Sequence, residues 1–331
     1  MRGRKEAVFS SSEDRIRASQ ASILVAEAPI VSEVPPPRIS LGWAGRAAES
    51  LFTVLFPSDC RICGEPLVKI SRLPVCKECL AQMRPLEGKL CAVCGERVLS
   101  VYALSDDRGE ICCPVCRRIE PPFARAVAYG SYEGGLRELI HLLKYAGVRP
   151  AANVLGRMLA ETISTLDGGT DNAPGGAPVP VIPVPLHKTK RRERGFNQSE
   201  VIARAALKSH VLKGKFAIAD DVLLRQRETA SQIGLSSHQR RANLRGAFAV
   251  ARVEQISGRE VLLVDDVFTT GTTASECARV LRRAGATRVW VATVARTLKM
   301  ASHHAEMNPF AEPAQSEDQI PAAPLAKAAG G

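Results

Sequence analysis

The sequence predicts an α/β protein: an open parallel sheet preceded by a cysteine-rich, metal-binding module. Three observations carry that prediction. Nine of the ten cysteines lie between Cys60 and Cys116, in four Cys-x-x-Cys pairs with Cys112 as a spare neighbour. Beyond residue 122, strand-length apolar runs alternate with stretches of helical periodicity, the pattern of a sheet covered by helices. Two of those runs, "VPVIPVP" (Val179 to Pro185) and "GREVLLVDD" (Gly258 to Asp266), are rich in Val, Ile and Leu without polar alternation, as buried parallel strands are.

The chain has 331 residues, 45% of them hydrophobic, enough for two domains or for one with a substantial appendage. The expected organisation is an N-terminal extension (1–40), an amphipathic helix with the cysteine module (41–121), an α/β domain (122–299) and a C-terminal tail (300–331). Both ends are polar or rich in Ala and Pro, a composition expected of flexible tails. No 18-residue apolar run occurs and the first residues lack the apolar core of a secretory signal, so no membrane insertion and a cytoplasmic location are expected.

Before the first cysteine pair, "LGWAGRAAESLFTVLFP" (Leu41 to Pro57) has the periodicity of an amphipathic helix ended by proline. The pairs that follow are Cys60/Cys63, Cys76/Cys79, Cys91/Cys94 and Cys113/Cys116. Each Cys-x-x-Cys turn presents two thiolates to one soft ion, and a second turn completes a tetrahedron. Four pairs therefore suit two zinc ions, structural because four thiolates leave no open position. Sequential pairing is preferred, with interleaved ligation left open. The turns repeat internally ("CRICGEPL", "CAVCGERV"), and Gly64 and Gly95 allow the backbone to fold closely around metal-bound sulfur. A disulfide framework and iron–sulfur ligation are the alternatives, whereas a thioredoxin-like redox site needs one such pair and not four.

In the second half, "ARAVAYGSY" reads as a strand and "EGGLRELIHLLKYAG" as a helix burying Leu136, Leu139, Ile140 and Leu143. Arg137, Glu138 and Lys144 are expected to face outward. A second helix covers roughly Ala151 to Thr165, "LDGGTDNAPGGAP" is a connector, and Val179 to Pro185 is a short strand. "NQSEVIARAALKSH" returns to helix. "GREVLLVDD", "TTASECARVLRRAG" and "TRVWVATVAR" form a β-loop-α-β unit in which Gly285 stops the helix. Cys277 sits beside Ala274, Ala278 and Leu281 on an apolar helical face and is expected to be packing.

At the centre of that unit lies "VLLVDDVFTTGTTAS" (Val261 to Ser275). Asp265 and Asp266 end the strand, and Thr269, Thr270, Gly271, Thr272 and Thr273 turn into the helix. Successive backbone N–H groups at a helix N-terminus suit an anion, and the hydroxyls suit further phosphate oxygens. The carboxylates repel a phosphate and suit ribose hydroxyls or magnesium instead. A sugar phosphate meets both demands. No G-x-x-x-x-G-K-[ST] accompanies the acids, and no G-x-G-x-x-G is present, so Walker-type nucleotide and dinucleotide sites are set aside.

This stretch closely resembles the phosphoribosyl pyrophosphate (PRPP) signature of type I phosphoribosyltransferases. With "LFPSDCRICG", "YEGGLRELIHLLKY", "VIPVPLHKTKRRERGFNQSE" and "TASQIGLSSHQRRANLRGAF", the chain from about Leu51 to Arg296 resembles the ComF/ComFC competence family. The resemblance implies a type I phosphoribosyltransferase-like open parallel sheet with an N-terminal double zinc-ribbon module. It implies that Asp265 and Asp266 contact the ribose hydroxyls of PRPP bound with magnesium. Thr269 to Thr273 would cradle the 5′-phosphate, the loop after Pro183, Val184 and Pro185 would approach the pyrophosphate, and Gln232 to Asn243 would match a mobile flap. The chemistry implied is displacement at C1 of ribose by an unspecified acceptor, with an oxocarbenium-like transition state. The insert "LSVYALSDDRGEIC" and the spare Cys112 depart from the compact family ribbon.

The formal charge is +11, and Leu186 to Arg245 carries 14 Lys/Arg against 5 Asp/Glu, a net of +9. "HKTKRRERGFNQ" is read as a strand-end loop whose Arg191, Arg192 and Arg194 face a departing pyrophosphate, with Arg194 grouped with the catalytic acids. Gly195 would permit close approach, and Asn197 and Gln198 would fix substrate or begin the next helix. Arg240 and Arg241, with Arg245, form a second cluster that would fold over the ligand. The same charge suits single-stranded DNA or other competence-machinery partners. No Ser-His-Asp arrangement competes as a catalytic centre, and His141, His187 and His238 are weak candidates. No aromatic RNA-reading pattern is present. No glutaminase domain is evident, so glutamine-dependent amidotransfer is not expected.

Overall fold

The computed structural model describes residues 59–67, 71–98, 110–166, 176–229 and 237–298, all within one compact unit, Glu49–Gly331. The predicted helix at Leu41 to Pro57, both tails and most of the insert after Leu99 lie outside the described residues. So does the centre of the 166–178 connector.

Five parallel strands form the main sheet: β1 (Arg125–Ser131), β2 (Val179–Pro183), β3 (Phe216–Ile218), β6 (Glu260–Phe268) and β7 (Arg288–Arg296), in the spatial order β1-β7-β6-β2-β3. A separate antiparallel hairpin joins β4 (Leu223–Arg225) to β5 (Phe248–Val250). The sequence reading missed β3, β4 and β5. Each is three residues long, too short for a period-2 pattern to stand out.

Both faces of the sheet are covered, as long unalternating strands require. On one side lie α3 (Gly134–Lys144), α4 (Ala151–Ser164) and α6 (Gln198–Ala206), contributing Leu139, Ile140, Leu143, Leu155, Leu159 and Ile202 to one core. On the other lie α7 (Ser237–Leu244), α8 (Thr272–Arg283) and the hairpin, with Leu244, Phe248, Cys277, Ala278 and Leu281. Strand β6 feeds both: Leu262 and Val264 enter the first core, Val261 and Leu263 the second. Cys277 is fully buried, the packing role expected of it. Gly156 lets α4 and α6 touch, because a Cβ there would come within 2.5 Å of the Ala205 Cβ.

The β6–α8–β7 unit forms as predicted, with Gly285 just past the helix in a left-handed conformation (φ 99°). Two other expectations are corrected. Lys144 does not face outward: at the last turn of α3 its side chain is 15% exposed and turned inward. The basic segment is not a loop: Lys188–Arg194 is a short helix, α5, opened by His187 and closed by Gly195 at φ 75°. Gly195 ends the helix in the left-handed conformation that favours glycine, with no protein atom within 4 Å of a Cβ placed there.

The cysteine module packs on the sheet through both of its halves. Its first half includes α1 (Lys77–Gln82), and its Ile62 and Met83 side chains lie against Gly135 of α3. The second includes α2 (Pro114–Arg118), and the Val93 carbonyl accepts the Ala126 N–H at 2.7 Å. That bond covers part of the otherwise open edge of β1.

Candidate functional site

The two cysteine tetrads are built alike. In the first turn Cys60 N–H donates to the Glu65 carbonyl (2.8 Å) and Gly64 N–H to that of Cys60 (2.8 Å). In the second, Cys91 donates to Glu96 (2.7 Å) and Gly95 to Cys91 (2.8 Å). Gly64 and Gly95 both take positive φ, 78° and 71°. The sulfurs of Cys60, Cys63, Cys76 and Cys79 lie within 4.8 Å of one another, as do those of Cys91, Cys94, Cys113 and Cys116. Sulfur pairs at 3.7 to 3.9 Å match the edge of about 3.8 Å expected for a tetrahedron of Zn–S bonds near 2.3 Å. Backbone N–H groups of Cys76, Cys79 and Cys113 point at the Cys60, Cys76 and Cys91 sulfurs at 3.2 to 3.3 Å, which favours thiolate. The donor set therefore fits two zinc ions with sequential pairing. Cys112 lies outside both sets, buried, and the ten cysteines form no disulfide.

The second candidate centre lies at the carboxyl ends of β6 and β2, the side on which open parallel sheets take ligands. Pro183 pairs with Val264, and the Val184 N–H donates to the Val264 carbonyl at 2.8 Å. The segment Pro183-Val184-Pro185 therefore lies beside Asp265. Thr269 and Thr270 are exposed, and Gly271 caps α8 at φ 74°. The Thr270 and Thr272 hydroxyls lie 2.8 Å apart. Gly271 cannot carry a side chain: a Cβ would meet the Phe268 ring at 2.5 Å.

The two acids are not equivalent. Asp266 falls in register with Leu262 and Val264, toward the α3 side, where the Lys144 ammonium meets its Oδ2 at 2.5 Å. Burial works against the Lys144 charge, but the Asp266 carboxylate outweighs it and holds the ammonium above the ordinary lysine pKa. The acids do not end the strand as expected: β6 runs on to Phe268, and Asp265 lies three residues before its end. Its Oδ1 accepts from the Ser199 hydroxyl and from the Asp266 N–H, both at 2.9 Å. It lines a narrow cleft with Phe268, Thr269, Gly271 and Thr273. Burial, with the Asp266 charge adding, pushes its carboxyl up to about 7 against the Ser199 bond and the Lys144 charge. Between its unfolded pKa of about 3.9 and this raised value, the folded chain holds a proton that the unfolded chain has lost. Stability of the ligand-free protein is expected to fall as pH rises through that window and to level above about pH 7. Asp265→Asn should flatten the slope in urea melts, and an unchanged slope would count against the raised Asp265 carboxyl.

The basic residues divide. On α5, Arg191 reaches Glu200 (3.4 Å) and Arg194 donates to the Gln198 side-chain carbonyl (3.0 Å) while stacking 5.3 Å from the Tyr145 ring centre. Arg192 has no acid partner among the described residues. Asn197 and Gln198 are buried. The Asn197 side chain accepts from Ser199 N–H (3.1 Å) and donates to the Val184 carbonyl (3.0 Å), so it caps α6 and ties it to β2. Of the two uses expected of it, beginning the next helix is the one this geometry serves. Arg240 lies on α7, which packs on α8. Gln232 to Ser236 and the Arg241 side chain lie outside the described residues.

Lys144, Ser199, Phe268 and Arg296 were absent from the sequence-derived site. Only Lys144 left a trace: it stands four residues after Ile140, at the border of the buried stripe. A cavity of about 400 Å³ lies between the second cysteine turn and the threonine turn, lined in part by Phe123, Arg245, Phe268, Thr270, Arg279 and Arg296.

Comparison with known proteins fits both centres. The double zinc ribbon domain family matches residues 51–120, and the phosphoribosyl transferase domain family matches residues 197–309. The DNA utilization protein YhgH of Salmonella typhi is 33% identical over 245 residues, 73% of this chain and 98% of that protein. Competence protein F of Haemophilus influenzae is 29% identical over 228 residues, covering 69% and 92% of the two chains. Competence protein ComFC of Bacillus subtilis is 25% identical over 218 residues, covering 64% and 79%. With paired tetrads on one side and a strand-end threonine turn on the other, both carried in one chain along nearly the full length of YhgH, the chain belongs to the ComF/ComFC family of double-zinc-ribbon, phosphoribosyltransferase-domain proteins.

Proposed function

We propose that the threonine turn and the β6 acids bind the ribose 5-phosphate portion of PRPP. The observation that carries this reading is the placement of Thr269–Thr273 at the N-terminus of a 12-residue helix, directly after β6, which carries Asp265 and Asp266, and beside the end of β2. Backbone N–H groups there face outward without intrahelical partners and carry the positive end of the helix dipole. The turn's hydroxyls would complete the phosphate cradle. Asp265, half-buried with one oxygen committed to Ser199, would accept from a ribose hydroxyl through the other. Asp266, held by Lys144, would act chiefly by keeping negative charge behind Asp265. Magnesium bound with the pyrophosphate would neutralise the leaving group.

The α5 cations stand next along the same edge of the sheet. Arg191 and Lys190 are mostly exposed and available to a pyrophosphate, although each leans on one acid. If turnover occurs, a nucleophile replaces pyrophosphate at C1, and positioning with electrostatic stabilisation supplies the acceleration. Titration calorimetry with magnesium and PRPP tests the binding claim. Saturable binding is expected, weakened strongly in Asp265→Asn/Asp266→Asn. An absence of saturation, or equal binding by the variant, would sink it.

A second reading concerns DNA. The relatives carry the words competence and DNA utilization, and α5 displays Lys190, Arg191 and Arg192 at the surface. Phosphate contacts by such a helix would make single-stranded DNA binding weaken as salt rises. This reading places the chain in DNA uptake or use, with the ribose-phosphate site and the basic helix serving together.

A further inference from the structure

Arg296, the last residue of β7, is 3% exposed and has no role in the ribose-phosphate reading above. Its guanidinium reaches out of the sheet into the second cysteine turn. One terminal nitrogen donates to the Cys94 carbonyl. The other donates to the Glu96 carboxylate at 2.7 Å and lies 3.8 Å from the Cys94 sulfur, itself a member of the second tetrad. Glu96 is buried as deeply, its side chain 7% exposed. A charge pair taken this far from water is costly unless its geometry is used for something, since well-packed apolar residues would do as well for stability alone.

The other face of the guanidinium shows the use. It lies 4.7 Å from the centre of the Phe268 ring, a cation–π contact. Arg296 and Phe268 are partners in the β6–β7 register, and Thr297 N–H donates to the Phe268 carbonyl at 3.0 Å. The Phe268 ring then closes under Gly271, leaving no room for a Cβ there. Phe123 holds the same ring edge-on at 6.0 Å. A continuous set of contacts thus runs from the Cys94 turn through Arg296 and Phe268 to the centre of the threonine turn.

We propose that Arg296 is a positioning residue that makes the second metal site a structural part of the threonine turn. It does so by pinning Phe268 between the Cys94 turn and Gly271. The first tetrad packs on α3 and makes no such contact with the turn among the described residues. The two metal sites are therefore unequal: the second supports the anion-binding loop, the first supports the helix that carries Lys144. The proposal rests on the ribose-phosphate reading only for its ligand.

Hydrogen exchange at residues 268–275, metal content and magnesium–PRPP titration on the full chain test it together. Arg296→Lys keeps the charge but cannot span Cys94, Glu96 and the ring. It is expected to retain both ions, to speed exchange at Thr269–Thr273, and to weaken PRPP binding about tenfold, the low end of losses seen when partners that orient a site are removed. Cys113→Ser should lose one ion and reproduce the fast exchange, whereas Cys63→Ser should lose one ion and leave the turn's exchange unchanged. Wild-type exchange at the turn in Arg296→Lys would overturn the proposal, as would equal loosening by the two cysteine variants. If PRPP fails to bind the wild type while Arg296→Lys still loosens the turn, the clamp stands and the ligand reading falls. If the two proteins bind PRPP equally, the clamp falls and the ligand reading stands.

Discussion

Lys144→Met is expected to destabilise the protein by about 3–5 kcal/mol, the range for removing one partner of a buried ion pair. The pair is Lys144 with Asp266 at 2.5 Å, their side chains 15% and 7% exposed. Methionine has nearly the right length and fills the space of the lysine stem, so lost packing contributes little. What remains is a carboxylate with no cation beside it, flanked by Asp265 and, on the Lys144 side, by Tyr132. Urea melts of Lys144→Met, Asp266→Asn and the double variant separate the pair from its surroundings. The double variant should recover most of the loss, because neither charge is then stranded. A loss below about 1 kcal/mol, the range of exposed pairs, would show that water reaches the site. The single variant should also lose PRPP binding, since the charge behind Asp265 is no longer held.

Cys91→Ser is expected to reduce the zinc content of the purified chain from two ions to one and to unfold the second ribbon locally. Among the described residues the ribbon's own buried set is four cysteines and Val98. Such a set offers too little apolar area to offset the entropy of ordering the turns. Metal binding must supply the difference, and for isolated zinc-binding peptides it amounts to about 10 kcal/mol or more at neutral pH. The α/β core has its own two clusters and should remain folded. Zinc analysis with amide exchange over residues 90–98 and 110–118 checks both halves of the expectation. Retention of both ions, or of a protected ribbon, would remove the second tetrad from the metal assignment.

These two expectations differ in how far the sequence announced them. The tetrads were readable outright. Cys-x-x-Cys spacing is a local property, and two turns of one kind differ little in what they can bind. The structure added the pairing and the match of sulfur separations to one tetrahedral ion. The threonine turn was also readable, because a strand-to-helix turn is written in consecutive residues. Lys144 was not readable. Helical periodicity placed it at the edge of a buried stripe, and an amine there defaults to solvent unless an acid from another element arrives. That acid comes from β6, more than a hundred residues away. The basic segment was misread as a loop for a related reason. Seven residues with no apolar face carry no periodic signal, and only His187 and Gly195 at its ends mark the helix.

By itself, then, the sequence determined what is local: two four-thiolate sites, a sheet of parallel apolar strands, and a threonine turn following two acids. The tertiary structure alone decided how those parts are used. Strand alternation sends Asp266 toward Lys144 and leaves Asp265 on Ser199 in the cleft beside the threonine turn, so adjacent identical residues acquire different chemistry. The arrival of the second ribbon beside β7 gives Arg296 its partners and ties a metal site to the threonine turn. Spacing along a chain fixes which groups can share an ion or a turn, whereas a buried charge acquires its partner, and with it its role, only when distant segments pack together.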